Sequence, residues 1–152
     1  MSLKDDITIL GDVPIFGDLS DEQLRLVAFG AERRRIPAGQ VLFRQGSAAD
    51  CAYAVASGAF DLERTDHQGR TIKLGAARPG TLLGELALIS LTERKTTAVA
   101  AESSEVIRIT RPLFNRMIEE YPELGTIMQR RIETNLQRLI DDLSALSPRL
   151  DG

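Results

Sequence analysis

The sequence has one cysteine, one histidine, no basic excess and no long apolar run, and each shortage removes a class of function. Cys51 alone cannot close an internal disulfide, and His67 alone cannot build a multi-imidazole metal site, so disulfide scaffolds and histidine-rich zinc enzymes are excluded. With no second histidine to activate it, Cys51, set between Asp50 and Ala52, reads as an inert, partly buried thiol rather than a nucleophile. Lys and Arg total 19 against 22 Asp and Glu, a formal charge of -3, so nothing drives non-specific attraction to nucleic-acid phosphates. No window approaches the roughly 18 uninterrupted apolar residues of a membrane span, and Met1 to Asp6 lacks the charged-then-apolar layout of a signal peptide. A reducing cytoplasm without membrane insertion is the expected setting.

What is present is enough for one core. The 152 residues, 43% of them hydrophobic, make a single domain over 1–152. The first clear element starts at Leu19-Ser20: Ser20 can cap the Gln23 amide, Gln23 can reach back, and Leu19 can staple onto Leu24. Leu24, Val27 and Ala28 form the apolar stripe of this short N-terminal helix, and Gly30 is read as its terminator.

From about residue 31 to 110 the pattern becomes short runs between turn signals at Pro37-Ala38-Gly39, Gln45-Gly46, Ser57-Gly58, Gln68-Gly69 and Pro79-Gly80. Strands are expected over 40–44, 52–56, 59–65, 70–75, 96–101 and 105–109. One turn per roughly ten residues points to about eight strands in a jelly roll, so the fold class is mainly β with flanking helices. The triplet Arg33-Arg34-Arg35 reads as a solvated strand edge that blocks aggregation.

After Thr110 the period turns helical, with C-terminal helices expected over about 112–147. Phe114, Met117, Ile118 and Tyr121 mark a short helix entered at Arg111-Pro112, and a long one follows from Pro122 until Pro148 stops it. Ile132, Leu136, Leu139, Leu143 and Leu146 step by four, three, four and three residues, a short heptad seam. Its early part suits packing on the β core. Towards Leu139, Leu143 and Leu146 a partner helix is the better cover.

The most specific stretch runs from Arg78-Pro79-Gly80 through Gly84-Glu85-Leu86-Ala87-Leu88-Ile89 to a polar run and the strand from Thr96. Gly84 permits a sharp turn with close backbone approach, and the helical turn after it offers free amides to an anion, particularly phosphate. Glu85 would repel that anion unless it accepts a sugar hydroxyl, and Arg94 or Lys95 can complete the neutralisation. These features ask for a ligand with one phosphate and one ribose hydroxyl. Taken alone, Gly84-Glu85 is a weak motif and reads better as a helix cap with Leu86, Leu88 and Ile89 in the core.

The surroundings go further. Val13-Pro14-Ile15-Phe16, Leu19-Ser20, Pro37 to Phe43, Gln45-Gly46, Tyr53-Ala54-Val55, Ser57-Gly58, Pro79-Gly80 and Gly84 to Ile89 together resemble the cyclic nucleotide-binding domain family. This is the sensor domain of catabolite-activator-type regulators and of regulatory subunits of cyclic-AMP-dependent protein kinase. The resemblance implies an eight-stranded roll whose Gly84 to Ile89 form a phosphate-binding cassette. Gly84 makes the turn, Glu85 takes the ribose 2′-hydroxyl, and the Leu86 and Ala87 amides reach the cyclic phosphate. The arginine that the family places next fits best at Lys95, followed by Thr96 and Thr97 at the small positions. A slip of one residue would restore Arg94 but invert the strand's facing, unless a bulge intervenes. Thr96 leaves cyclic GMP open beside cyclic AMP.

By the same resemblance the long helix is a lid over the base, with Met128, Ile132, Asn135 and Leu136 as candidates, although core packing competes for the apolar three. Pairing of two copies through Leu136, Leu139, Leu143 and Leu146 implies a homodimer. The expected function is a non-catalytic cyclic nucleotide sensor with no cofactor beyond its ligand and an effector still to be named. The alternative is a degenerate roll that dimerises or docks without nucleotide. A cupin-like metal enzyme fails on the single His67. Only Arg149 to Gly152 follow Pro148, where catabolite activators attach a DNA reader, so no direct DNA binding is expected.

Overall fold

A computed structural model describes residues 3–123, 125–127 and 129–134. Helix α1 (Leu3–Gly11) leads through a 3-10 turn at Pro14–Phe16 into α2 (Asp21–Gly30). Ten short strands follow: β1 (Glu32–Ile36), β2 (Val41–Phe43), β3 (Ala48–Ala49), β4 (Cys51–Ser57), β5 (Phe60–Thr65), β6 (Thr71–Ala77), β7 (Leu82–Leu83), β8 (Thr92–Glu93), β9 (Thr97–Ala100) and β10 (Ser104–Thr110). A second 3-10 turn, Glu85–Leu88, sits between β7 and β8, and α3 (Arg111–Glu120) closes the roll. Residues 122, 123, 125–127 and 129–134 are helical. No helix among the described residues is long and apolar enough to cross a membrane.

The strands pair antiparallel as two four-stranded sheets, β1-β10-β4-β7 and β2-β9-β5-β6, with a small ladder of β3 and β8. Mainly β architecture with helices at both ends agrees with the jelly roll expected from the turn spacing. Each of the six longer runs expected as strands overlaps an observed one, with β4, β6 and β10 extending beyond the expected bounds. The two-residue strands β3, β7 and β8 were not anticipated, because two residues are too few to show a period.

Burial explains the arrangement. Along β4, Cys51, Tyr53 and Val55 point into the roll with Ile36, Phe60, Leu83, Ala98 and Val106. Ala52 and Ala54 point the other way, into a second cluster with Leu10, Val13, Phe16, Leu24, Val27, Leu88, Ile107, Leu113, Phe114 and Met117. Cys51 to Val55 are therefore buried on both faces, and period-two alternation disappears there. Alanine at 52 and 54 lets the helices approach the sheet closely.

The capping box at the start of α2 forms as its sequence demands: the Gln23 amide donates to Ser20 Oγ at 3.2 Å and the Ser20 amide donates to Gln23 Oε1 at 2.8 Å. Helix α2 ends at Gly30 as expected, though without a left-handed cap: Ala31 is the C-cap residue and its amide donates to Val27 O. Gly30 is the last residue of α2, and an added Cβ there would stand 2.5 Å from Leu113 Cδ1, so the glycine also allows close packing against α3. Helix α1 carried no clear sequence signal, since its stripe of Ile7 and Leu10 is short and lacks a described cap. Arg33 in the basic triplet is neutralised by Asp6 of α1 and by Glu105 at 2.8 Å, on the edge strand β1.

Gly58, at φ 82°, tests the turn chemistry. A Cβ there would meet Ser104 Oγ at 2.1 Å and Ser104 Cα at 2.8 Å, whereas Gly69, at φ 80°, has nothing within 4 Å of its Cβ position. Gly58→Ala is expected to lower unfolding free energy by about 3 kcal/mol, and Gly69→Ala by about 1 kcal/mol, the backbone term alone. Urea titration of the two variants checks the difference; equal losses would contradict it.

Candidate functional site

The site is assembled by the chain between Arg78 and Thr97. The Thr81 amide donates to Arg78 O at 3.0 Å across the turn at Pro79-Gly80, and β7 then joins the edge of the sheet beside β4, pairing Leu83 with Tyr53. Gly84, at φ 78°, turns the chain off that edge into the 3-10 turn. Ala87 and Leu88 are wholly buried, which anchors the turn in the core. Its far end is held by Arg111, whose Nε donates to Ala87 O at 2.8 Å and whose Nη2 reaches Ser90 O at 2.9 Å and Ala49 O at 3.1 Å.

Strand β8 then pairs with β3, and the Arg94 amide continues that contact by donating to Ser47 O at 2.8 Å. The chain bends at Lys95 and Thr96 before β9 begins at Thr97. This break corrects the register argument made from sequence, because residues 94 to 97 are not one continuous strand. The Arg94 side chain turns inward and Lys95 is exposed. Thr96 is half-buried, and Thr97 Oγ1 accepts from the Gln45 amide at 3.0 Å.

The Arg94 guanidinium is the centre of the site. The residue is 6% exposed. Its Nη2 donates to Cys51 O at 2.8 Å and approaches Cys51 Sγ at 3.4 Å. Its carbon lies 4.6 Å from the Phe43 ring centre and 5.5 Å from that of Tyr53, and the two rings stack at 6.1 Å. Among the described residues Arg94 has no ion pair, and its Nη1 is buried without a hydrogen-bond partner. A Cβ at position 84 would stand 2.2 Å from that same Nη1. Glycine at 84 therefore makes room for the guanidinium as well as for the turn.

A buried cation with one orphaned donor is costly unless an anion reaches it. The chemistry offered is a charge-assisted hydrogen bond to an anionic oxygen beside Gly84. Burial, and next the Cys51 thiol beside it, push the Tyr53 phenol above the ordinary tyrosine range, while Arg108 and Arg94 pull it back.

The candidates read from sequence separate into groups. Gly84 and Arg94 are brought together. The Ala87 amide, expected to face a phosphate, instead donates to Gly84 O at 3.0 Å and closes the turn. Leu86 is half-buried within the turn. Glu85 lines a cleft of about 280 Å³ with Val13, Pro14, Ile15, Gly80, Thr81 and Leu82, and Arg94 is not part of that lining. Ile132 is 1% exposed in the helical cluster, so core packing is the use it has here. Met128, Asn135 and Leu136, like Leu139, Leu143 and Leu146 of the seam, lie outside the described residues. Phe43, Tyr53, Cys51 and Arg111 were not singled out as site residues. Aromatic rings in strands read as core, and only the tertiary fold shows which cation they face.

The family model for the cyclic nucleotide-binding domain matches residues 33–121. The cyclic AMP receptor protein of Thermus thermophilus is 33% identical over 123 residues, covering 78% of this chain and 57% of that protein. An uncharacterized NTE family protein of Mycobacterium bovis is 34% identical over 145 residues, covering 95% of this chain and 24% of that protein. The chain thus spans little more than half of one relative and a quarter of the other. Among solved structures, a cyclic nucleotide-binding-like protein from Brucella abortus is 49% identical with a TM-score of 0.68, over 76% of this chain and 98% of that one.

With no ligand added, Arg94→Met is expected to raise the unfolding free energy by about 1 kcal/mol, since a buried, incompletely paired cation is exchanged for an apolar chain of similar length. Lys95→Met, on the surface, should change it by less than about 0.5 kcal/mol. Thermal and urea unfolding of both variants give the comparison, and a destabilised Arg94→Met would contradict the account of the orphaned donor.

Proposed function

Because the chain belongs to the cyclic nucleotide-binding domain family, we propose that it is a non-catalytic sensor that binds a cyclic nucleotide monophosphate, cyclic AMP in preference to cyclic GMP. The observation that carries this reading is the buried, unpartnered Nη1 of Arg94 beside Gly84. A phosphodiester oxygen there satisfies the donor and balances the charge in one contact. Glu85, one residue on, is assigned the ribose 2′-hydroxyl by the family pattern. The preference for cyclic AMP rests on similarity to a protein named for that ligand.

Signalling through the C-terminal helix belongs to the same reading. Arg131 donates to Pro14 O at 2.7 Å and pairs with Asp18 at 2.5 Å, so the described helical residues are tied to the first 3-10 turn. Leu88 of the cassette and Ile132 sit in one cluster. A homodimer through Leu136, Leu139, Leu143 and Leu146 is supported by their spacing alone. A reducing cytoplasm fits the free, buried Cys51.

Calorimetric titration tests the core of the proposal. The unmodified chain is expected to bind cyclic AMP more tightly than cyclic GMP, and ligand at about a hundred times its dissociation constant should stabilise the fold by roughly 2.7 kcal/mol. Arg94→Ala should weaken binding about a hundredfold, and Lys95→Ala by less than about threefold. Absence of binding to both nucleotides would overturn the sensor reading. A larger loss at Lys95 than at Arg94 would overturn the assignment of the phosphate contact.

A further inference from the structure

We propose that Phe43 and Tyr53 are positioning residues for the Arg94 guanidinium: they hold the cation in place of a carboxylate and so keep its full charge available to an anionic ligand. The inference rests on the reading of Arg94 as the phosphate contact. Three observations carry it. Both ring centres lie within cation–π reach of the guanidinium, at 4.6 Å and 5.5 Å. The rings come from opposite sheets, Phe43 from β2 and Tyr53 from β4, and stack on each other at 6.1 Å with planes 19° apart, so neither can turn away freely. Among the described residues no carboxylate pairs with Arg94, and its hydrogen-bond contacts are the Cys51 carbonyl and sulfur.

A carboxylate partner would fix an arginine equally well, but it would also neutralise it. An incoming phosphate would then meet a pair with no net charge and would have to compete with the carboxylate. An aromatic face attracts the cation through its quadrupole and carries no net charge, so it immobilises the fork without occupying its hydrogen-bond donors. Nη2 is fixed by Cys51 O, the plane of the guanidinium is held against the rings, and Nη1 is left directed past Gly84. The binding cost of ordering a long side chain is thereby met in the folded protein before ligand arrives.

Phe43 is the ring to change, because it is half-buried whereas Tyr53 is buried. Phe43→Leu keeps most of the apolar volume and removes the π face; Phe43→Tyr keeps the face. In cyclic AMP titrations, Phe43→Leu should raise the dissociation constant about tenfold and Phe43→Tyr by less than about twofold. In an Arg94→Ala background, already weakened, Phe43→Leu should cause no further loss. A general structural defect would weaken binding equally in both backgrounds, so equal losses overturn the proposal, as does a Phe43→Leu variant that binds like the unmodified chain. Circular dichroism and melting of each variant confirm that it folds.

Should the unmodified chain bind no cyclic nucleotide, the sensor reading fails by itself and the aromatic contact is judged from unfolding. The fall in melting temperature caused by Phe43→Leu should then be at least halved when Arg94 is already methionine. Equal falls in the two backgrounds would show that the rings do not hold the cation.

Discussion

A guanidinium sealed in the roll with no carboxylate partner among the described residues is the constraint around which this end of the molecule is organised. Burying a charge is tolerable only where every neighbour is suited to it, and each neighbour of Arg94 has a distinct reason to be what it is. Position 84 must lack a Cβ because Nη1 occupies that space. Cys51 must present its carbonyl, which the antiparallel edge of β4 leaves directed at the arginine. The ladder must end at Glu93 and resume at Thr97, since a continuous strand would fix the facing of residue 94 by alternation. Two short strands separated by a bend therefore serve where one long strand could not.

The cassette also joins two separate cores. Leu83, just before Gly84, belongs to the cluster inside the roll, and Leu88, at the end of the turn, belongs to the cluster under the helices. The four residues between them thus carry the chain from one hydrophobic compartment to the other around the edge of the sheet. Central strand β4 divides the same compartments, with Tyr53 and Val55 on one side and Ala52 and Ala54 on the other. Such an arrangement rigidifies both ends of the turn while leaving the glycine between them as the pivot.

Legibility from sequence followed the length and one-sidedness of each element. The capping box at Ser20 and Gln23, the stripe of α2 and the Pro112 entry to α3 could be read because local chemistry alone specifies them. The strands flanked by glycine turns were legible for the same reason. Helix α1 and strands β3, β7 and β8 were not, being too short to carry a period. At the site, Gly84 was identified from its turn, but the burial of Arg94 and the exposure of Lys95 follow from a bend that alternation cannot foresee. Gly30 was legible as the end of α2, but its second use, the close contact with Leu113, belongs to tertiary packing that the local sequence does not carry. Phe43 and Tyr53 entered only as parts of segments that resemble the family, and their stacking beside Arg94 is a product of the tertiary fold.

Arg111 gives the cassette its connection to the rest of the fold. It is the first residue of α3, and its three carbonyl partners lie on the second 3-10 turn, just after it, and on β3. A guanidinium bonded to Ala87 O and Ser90 O cannot follow a displaced turn without carrying the start of α3 with it or surrendering those bonds. Helix α3 in turn meets α2 at the Gly30–Leu113 contact, and Ile118 lies where a Cβ at Gly125 would stand 2.7 Å away. Neither contact has slack, because in each the space for a side chain is already filled by the neighbour. The turn from Gly84 to Ser90 is therefore joined by direct contacts to the start of α3, and α3 by close packing to α2 and to the described helical residues after it, so the cassette and the helices form one continuous packed unit.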